Sequence, residues 1–237
     1  MIAEKTIYIY DDNIGSVSLV DSMGSDITVV NSARVSFGVE KNELDAKDKR
    51  LIRYLIRERH TSTLEHNIIT FKFCVPLFVR SQHHRHRTWS YNEISRRYTD
   101  KNLQFYSPKL FRTQHKSNRQ ASNENELINP QMYNWSKSTC AEFIETHNHD
   151  CLESFKKLLK AGICREQARM VLPQNLYTEY YGTVNLNNLL KFIDLRTHEG
   201  AQWEIQKVAE ACLEIATELF PVTVNAYREI RHESKPT

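Results

Sequence analysis

Glycine and proline are scarce in this chain, six of each in 237 residues, which leaves little room for flexible linkers and favours regular secondary structure. No run of eighteen or more apolar residues occurs, so a membrane-spanning helix of ordinary length is excluded. The opening Met1-Ile2-Ala3-Glu4-Lys5 lacks the apolar core of a secretory signal, so a cytoplasmic protein without a membrane partner is expected. The five cysteines (Cys74, Cys140, Cys151, Cys164, Cys212) are odd in number, scattered and free of any Cys-x-x-Cys pair. Neither a disulfide framework nor a zinc site is indicated, and reduced, buried thiols are expected. With 40% hydrophobic and 26% charged residues, the composition is that of an ordinary folded domain. The length suits one domain spanning residues 1–237.

Charge is concentrated in one place. Between Arg80 and Tyr98 lie five arginines (Arg80, Arg85, Arg87, Arg96, Arg97), three histidines, no lysine and one carboxylate, Glu93. Five arginines against one glutamate give this stretch +4, more than the +3 of the whole chain. Guanidinium is planar, permanently charged and forked, so arginine at every basic position points to geometric recognition of phosphate or carboxylate. Trp89, Tyr91, Asn92, Glu93 and Ser95 lie between the arginine groups and could stack on a heteroaromatic ring or hydrogen-bond to it. The segment reads as a nucleotide holder.

Patterning around it predicts an α+β fold, with a mixed sheet of a few strands packed by long helices. Strands are expected at Thr6–Tyr10 and Ser16–Val20 about an Asp11–Gly15 turn, at Asn67–Val75 and at Leu176–Val184. Helices are expected from Asp26, as N-cap, to about Val35, over Leu44–Arg57, from Pro76 into the arginine-rich stretch, and over Pro130–Lys160 with Gly162 as cap. Further helices are expected at Arg165–Leu172, at Leu186–Leu195 capped by Asn185, and at Ala201–Leu219, the last one. The polar stretch Thr113–Asn125 is expected to be irregular and remote from the chemistry.

Arg85-His86-Arg87, seven residues, then Ser95 within Asn92-Glu93-Ile94-Ser95-Arg96-Arg97-Tyr98 resembles the signature of the flavin-dependent thymidylate synthases. The resemblance extends to Ala33-Arg34-Val35-Ser36, Glu65-His66, Ala168–Pro173, Thr183-Val184-Asn185, Leu195-Arg196 and Ala201-Gln202-Trp203-Glu204, covering roughly Ser16 to Tyr227. It implies reductive methylation of dUMP to dTMP, with FAD as hydride carrier, methylenetetrahydrofolate as one-carbon donor, NADPH as reductant, and a homotetramer whose sites combine subunits. By the same resemblance His60, Ser62, Arg85, His86, Arg87, Glu93, Asn185 and Lys191 are flavin-side residues. Gln82, Arg85, Glu93, Ser95, Arg96, Arg97, Arg169 and Arg196 face the nucleotide, and Arg196 favours the ionised form of the uracil ring. Three positions depart from the family's habit: Arg96 stands where a small residue is common, Lys191 where asparagine or histidine is common, and Gly200 where histidine is common.

Other readings of the same residues bear comparison. Arg85 to Arg87 could be a solvated basic helix end, and Arg165 could be a surface partner of Glu166. His83, His84 and His86 invite a metal, yet adjacent helical histidines point to different faces and no Asp, Glu or Cys cluster accompanies them, so no metal is expected. An arginine and aromatic segment could grip single-stranded nucleic acid by stacking on Trp89 or Tyr91, but that leaves Arg169 and Arg196 without a role. A cysteine-nucleophile synthase would need an activated thiol, for which Cys164 beside Arg165 is the candidate. The flavoenzyme reading, with no nucleic-acid partner, accounts for the most residues.

Overall fold

In the computed structural model, which describes residues 5–133 and 137–233, the chain opens with β1 (Thr6–Tyr8) and β2 (Ser16–Met23). The expected turn joins them: Asp12 Oδ1 accepts from the N–H groups of Ile14 (2.9 Å) and Gly15 (3.1 Å). After α1 (Asp26–Arg34) and α2 (Ala46–Arg57) come β3 (Ile68–Pro76), α3 (Leu77–His83) and β4 (Ser90–Glu93). Next are a hairpin of β5 (Phe111–Gln114) and β6 (Ser122–Ile128), then α4 (Cys140–Lys160) and α5 (Arg165–Ala168). The chain closes with β7 (Tyr177–Asn185), α6 (Leu186–Arg196), α7 (Trp203–Leu219) and α8 (Pro221–Glu233).

The main sheet has the order β1-β2-β3-β7-β4, and every pair in it is antiparallel. The expected mixed sheet is thus corrected to an antiparallel one, because alternation marks a strand without giving its direction. Together with the helices this is an α+β arrangement. At its centre β3 and β7 pair over nine residues, Ile68 opposite Asn185 through Pro76 opposite Tyr177. Ile69, Phe71, Phe73 and Val75 of β3 and Tyr180 and Val184 of β7 alternate onto one buried face, where α6 and α7 add Leu189, Phe192, Ile205 and Val208. The opposite face is polar, carrying Lys72 paired with Glu179 at 2.5 Å.

Four further expectations are corrected. Residues 113–125 form most of the β5–β6 hairpin: Arg112 pairs with Leu127 and Gln114 with Ser122, so polarity hid strands that bury little surface. The long helix starts at Cys140, capped by Thr139, whose hydroxyl accepts from Glu142 N–H; Trp135, counted toward that helix, lies outside the described residues. Gly162 ends it as expected at φ +91°, in the left-handed region that favours glycine. Ser25, and not Asp26, is the N-cap residue of α1. Finally α8 follows α7 after a single residue, a boundary that Pro221 marks at a first helical position.

Asp26 caps a different helix. Its carboxylate, 6% exposed, accepts from the N–H groups of Val222 (2.9 Å) and Thr223 (2.8 Å) and from the Thr223 hydroxyl (2.5 Å), closing the first turn of α8. Asp26→Ala is therefore expected to cost about 2 kcal/mol and to lower the melting temperature by roughly 4–8 °C, as followed by circular dichroism. A shift of under about 1 °C would show that α8 needs no such cap.

The arginine-rich stretch is tied to the core by two of its aromatic rings. His83 is fully buried, with Nδ1 2.8 Å from the Tyr180 hydroxyl and its ring edge-on to Phe73 and Trp89. Trp89, 6% exposed, lies over Gly182 of β7, where an added Cβ would come within 3.2 Å of the indole. Burial, then the neighbouring His86, His84 and Arg196, hold His83 well below the usual histidine pKa, so the folded chain keeps it neutral. Below about pH 6.5 the unfolded chain takes up a proton that the folded one refuses, so this contribution is complete above that pH and is lost on acidification. Denaturant titrations from pH 6.5 to 5 are expected to show stability falling by up to about 1.4 kcal/mol per pH unit from this group, a slope absent in His83→Gln. Equal slopes in the two proteins would contradict the assignment.

Candidate active site

The candidate residues fall into three groups. The first gathers where α3 ends and α6 ends. Gln82 sits on the last turn of α3 and donates its Nε2–H to Gln202 Oε1. A turn then follows, with His86 N–H bonded to the His83 carbonyl at 2.9 Å, so His86 folds inward while Arg85 and Arg87 project into solvent. Arg196 is the last residue of α6, one beyond the expected end at Leu195, and its Nε–H donates to His86 Nε2 at 3.0 Å. Burial, then the Arg196 charge, bring the His86 pKa down to about 4, so near neutral pH the ring accepts at Nε2 and carries its proton on Nδ1. Arg196 is itself pushed down from the ordinary arginine value, by burial and then by Arg85, yet it remains a cation at any ordinary pH. Two guanidinium groups therefore press on one another here, and no carboxylate among the described residues lies within 4.0 Å of Arg85, Arg87 or Arg196.

The second group is the turn that follows β4. This strand, unforeseen because it covers only four residues, runs along β7 with Ser90 opposite Thr183 and Glu93 opposite Tyr180. Glu93 accepts from the Thr178 hydroxyl at 2.7 Å and pairs with Arg80 at 3.3 Å. Ser95 heads a tight turn: its carbonyl accepts from Tyr98 N–H (3.0 Å) and its hydroxyl oxygen from Arg97 N–H (3.3 Å). Arg96 directs its guanidinium to the carbonyls of Lys101 (2.7 Å) and Tyr177 (3.4 Å), so it staples this turn to the sheet; a nucleotide contact from it is not what the geometry favours. Arg97 pairs with Glu166 at 2.9 Å and Arg165 with Asp100 at 3.4 Å, joining α5 to the turn. Glu166, considered as a partner for Arg165, belongs to Arg97 instead. Arg169 follows on a short 3₁₀ turn, Arg169–Val171, exposed and with no carboxylate within 4.0 Å among the described residues.

The third group lies along α6, from its Asn185 cap to a cleft beside Lys191. Asn185 caps that helix as expected, its Oδ1 accepting from Asn188 N–H at 2.9 Å, which leaves its Nδ2 as a donor. At 1.5 Å per residue, Asn185 and Arg196 stand about 16 Å apart along one rigid rod. Lys191 opens onto a cleft of about 570 Å³ that Arg59, Thr61 and Asn187 also line. The cleft's other arginines are neutralised, Arg57 by Glu58 (3.1 Å) and Arg231 by Asp194 (2.5 Å), whereas Arg59 and Lys191 have no carboxylate partner among the described residues. His60 and Ser62 are exposed on the neighbouring turn, with the His60 ring edge-on to Tyr54.

Within this chain no hydrogen bond or ion pair links one group to another among the described residues. Trp89 and Tyr91 are not stacking platforms: Trp89 is core, and Tyr91 is covered by His84, 4.1 Å between ring centres, with its hydroxyl bonded to the His83 and His86 carbonyls. Among the described residues no three His, Cys, Asp or Glu side chains come close enough together to hold a metal ion. Sequence reasoning gave no part to Gln202, Glu204 or Arg112, although Gln202 and Glu204 belong to the Ala-Gln-Trp-Glu run that it noted. Arg112 carried no signal at all.

Comparison with known proteins places the chain in a family. Residues 18–222 match the family model described as thymidylate synthase complementing protein. The flavin-dependent thymidylate synthase of Thermus thermophilus is 42% identical over 215 residues, 91% of this chain and 76% of that protein. That of Thermotoga neapolitana is 41% identical over 216 residues, 90% of each. Among solved structures, the UMP/dUMP methylase PolB of Streptomyces cacaoi bound with 5-Br dUMP superposes with a TM-score of 0.77 at 36% identity, covering 90% of this chain and 94% of that one. A match over most of the chain, relatives at this identity and a shared fold lead to one conclusion: the chain belongs to the flavin-dependent thymidylate synthase family.

Proposed function

We propose that this protein converts dUMP to dTMP by reductive methylation, using FAD, methylenetetrahydrofolate and NADPH. The carrying observation is the Arg196 to His86 hydrogen bond. It fixes Arg196 through Nε and leaves both terminal nitrogens without a partner among the described residues, a two-donor fork that matches the O–C–N edge of a uracil ring once N3 has lost its proton. Because His86 stays neutral, it backs the guanidinium without repelling it, and the half-buried setting screens the fork less than water would. Negative charge developing on the ring is then stabilised by a cation that does not itself titrate.

Arg85, Arg87 and Arg169, all without carboxylate partners, suit the phosphate. Ser95 positions it: the Ser95 oxygen accepts from Arg97 N–H, so its own proton remains available to donate. A nucleophilic role would need a base within reach, and no side chain bonds to that hydroxyl among the described residues. Arg59, Lys191, Asn185, His60 and Ser62 supply the cations and amide and hydroxyl donors that a flavin dinucleotide's pyrophosphate and ring would require. The bound flavin supplies the hydride. The homotetramer is supported by the separation of the three groups, which one chain leaves apart, and by exposed apolar side chains beside them: Tyr98 at 80% and Met170 at 73%.

The rival readings lose their candidates. Stacking on single-stranded nucleic acid would use Trp89, which is buried. The cysteine reading rested on Cys164 beside Arg165, but that thiol is turned to Gln167 Oε1 at 3.9 Å and Arg165 is engaged by Asp100 at 3.4 Å, so the pair does not form. In the described residues no helix is long and apolar enough to cross a membrane, in keeping with a cytoplasmic enzyme.

In single-turnover experiments, Arg196→Ala is expected to lose about 10²–10³-fold in thymidylate formation while NADPH still reduces the flavin at near the wild-type rate. Thymidylate formation within about threefold of wild type, under roughly 1 kcal/mol, would remove Arg196 from the chemistry. Saturating FAD should raise the melting temperature of stripped protein, by about 2.7 kcal/mol of stability at a hundredfold excess over Kd, and Lys191→Met should weaken that binding. If Lys191→Met binds FAD as the wild type does, the lysine cleft is not the flavin site.

A further inference from the structure

Behind Gln82 runs a chain of polar side chains that ends on a buried carboxylate. Gln82 Nε2 donates to Gln202 Oε1, and Gln202 Nε2 donates to Glu204 Oε2 at 2.8 Å. Glu204 is 4% exposed, and its Oε1 takes the Arg112 guanidinium together with the Tyr106 hydroxyl (3.4 Å). Arg112, from the β5–β6 hairpin, is held in turn over the Trp203 ring, 4.7 Å from its centre.

This chain has a direction. The two ends of a side-chain amide are nearly equal in shape, so neighbours decide which way it faces. A carboxylate paired with guanidinium only accepts, so Gln202 turns its NH₂ to Glu204 and its carbonyl to Gln82. Gln82 must then offer its own NH₂ inward, and its Oε1 is left without a hydrogen bond among the described residues.

We propose that Gln202, held by Glu204 and Arg112, is a positioning residue that fixes the Gln82 amide with its carbonyl oxygen toward the nucleotide, where it accepts a hydrogen bond. This rests on the reading above that sets Gln82 against dUMP. An acceptor cannot serve a phosphate, so the recognised group is a donor, and a deoxyuridine nucleotide has two: the sugar 3′-hydroxyl and the ring N3–H. The 3′-hydroxyl fits better, since Arg196 favours negative charge on the ring and an acceptor oxygen against N3 would oppose it.

The test is calorimetric titration of the flavin-loaded enzyme with dUMP, its 3′-deoxy analogue and its N3-methyl analogue. Wild type should bind the 3′-deoxy analogue about tenfold more weakly than dUMP, the value of one hydrogen bond to a well-placed acceptor. In Gln82→Met and in Gln202→Met that ratio should fall to within about twofold of unity, while the 3′-deoxy analogue binds within about threefold of its wild-type affinity. Glu204→Gln should lower the ratio only in part, since an amide there can donate as well as accept and lets Gln202 turn over; it serves where Gln202→Met does not fold. Collapse of discrimination against the N3-methyl analogue instead would keep the acceptor and move its target to the base. Ratios in Gln202→Met and Glu204→Gln equal to wild type would overturn the positioning role while leaving the enzyme reading intact. A flavin-loaded wild type that binds no dUMP would overturn both.

Discussion

The hollow above Gly182 is the constraint from which the candidate site follows. Without a side chain there, the Trp89 indole can lie against the sheet and close over His83, and the two rings carry the intervening His84-Arg85-His86-Arg87 turn with them. A strongly basic turn has no reason of its own to stay near a sheet, since its charges prefer water and repel one another. Burying its uncharged aromatic members sets its place and leaves only the cations outside. The same burial presents the His86 ring to Arg196, so packing in the core and the direction of the fork at the surface are one fact seen from two sides.

Electrostatically the chain is divided between arginines that are used and arginines that are left over. Arg34 with Asp48, Arg80 with Glu93, Arg112 with Glu204 and Arg96 with main-chain carbonyls all build structure. Arg85, Arg87, Arg169 and Arg196 have no such partner among the described residues. Clustered unpaired cations oppose the folded state, and an anionic ligand relieves that opposition as it binds. On the proposed reading, affinity for phosphate would in this sense be stored as mutual repulsion.

Much of this was legible in the sequence, because the relevant signals are local. Asn185 capping α6, Gly162 ending α4 and the amphipathic face of α2 each depend on a few neighbouring residues, and so does the arginine motif. What escaped depends on distant partners. Asp26 has the look of an N-cap beside its own helix, yet it caps one that begins 195 residues later. Trp89 in an arginine-rich run looks like a ligand platform until the glycine opposite it is known. The β5–β6 hairpin escaped because its apolar residues, Phe111, Leu127 and Ile128, sit only at the outer ends of the strands and the stretch between is polar, and the role of Arg112 escaped with it, since a lone arginine carries no pattern.

The cap that Asp26 provides also bears on the order in which the chain can be assembled. Asp26 belongs to α1 and its partners, Val222 and Thr223, to α8, so the ribosome releases them 196 and 197 residues apart. The central pairing also joins distant segments, with Thr70 and Thr183 separated by 113 residues. Until β7 emerges β3 lacks its second neighbour, and until α8 emerges α1 holds a carboxylate that the finished core buries. A chain that depends on such long-range contacts is expected to fold slowly and to need protection until the later partners are made.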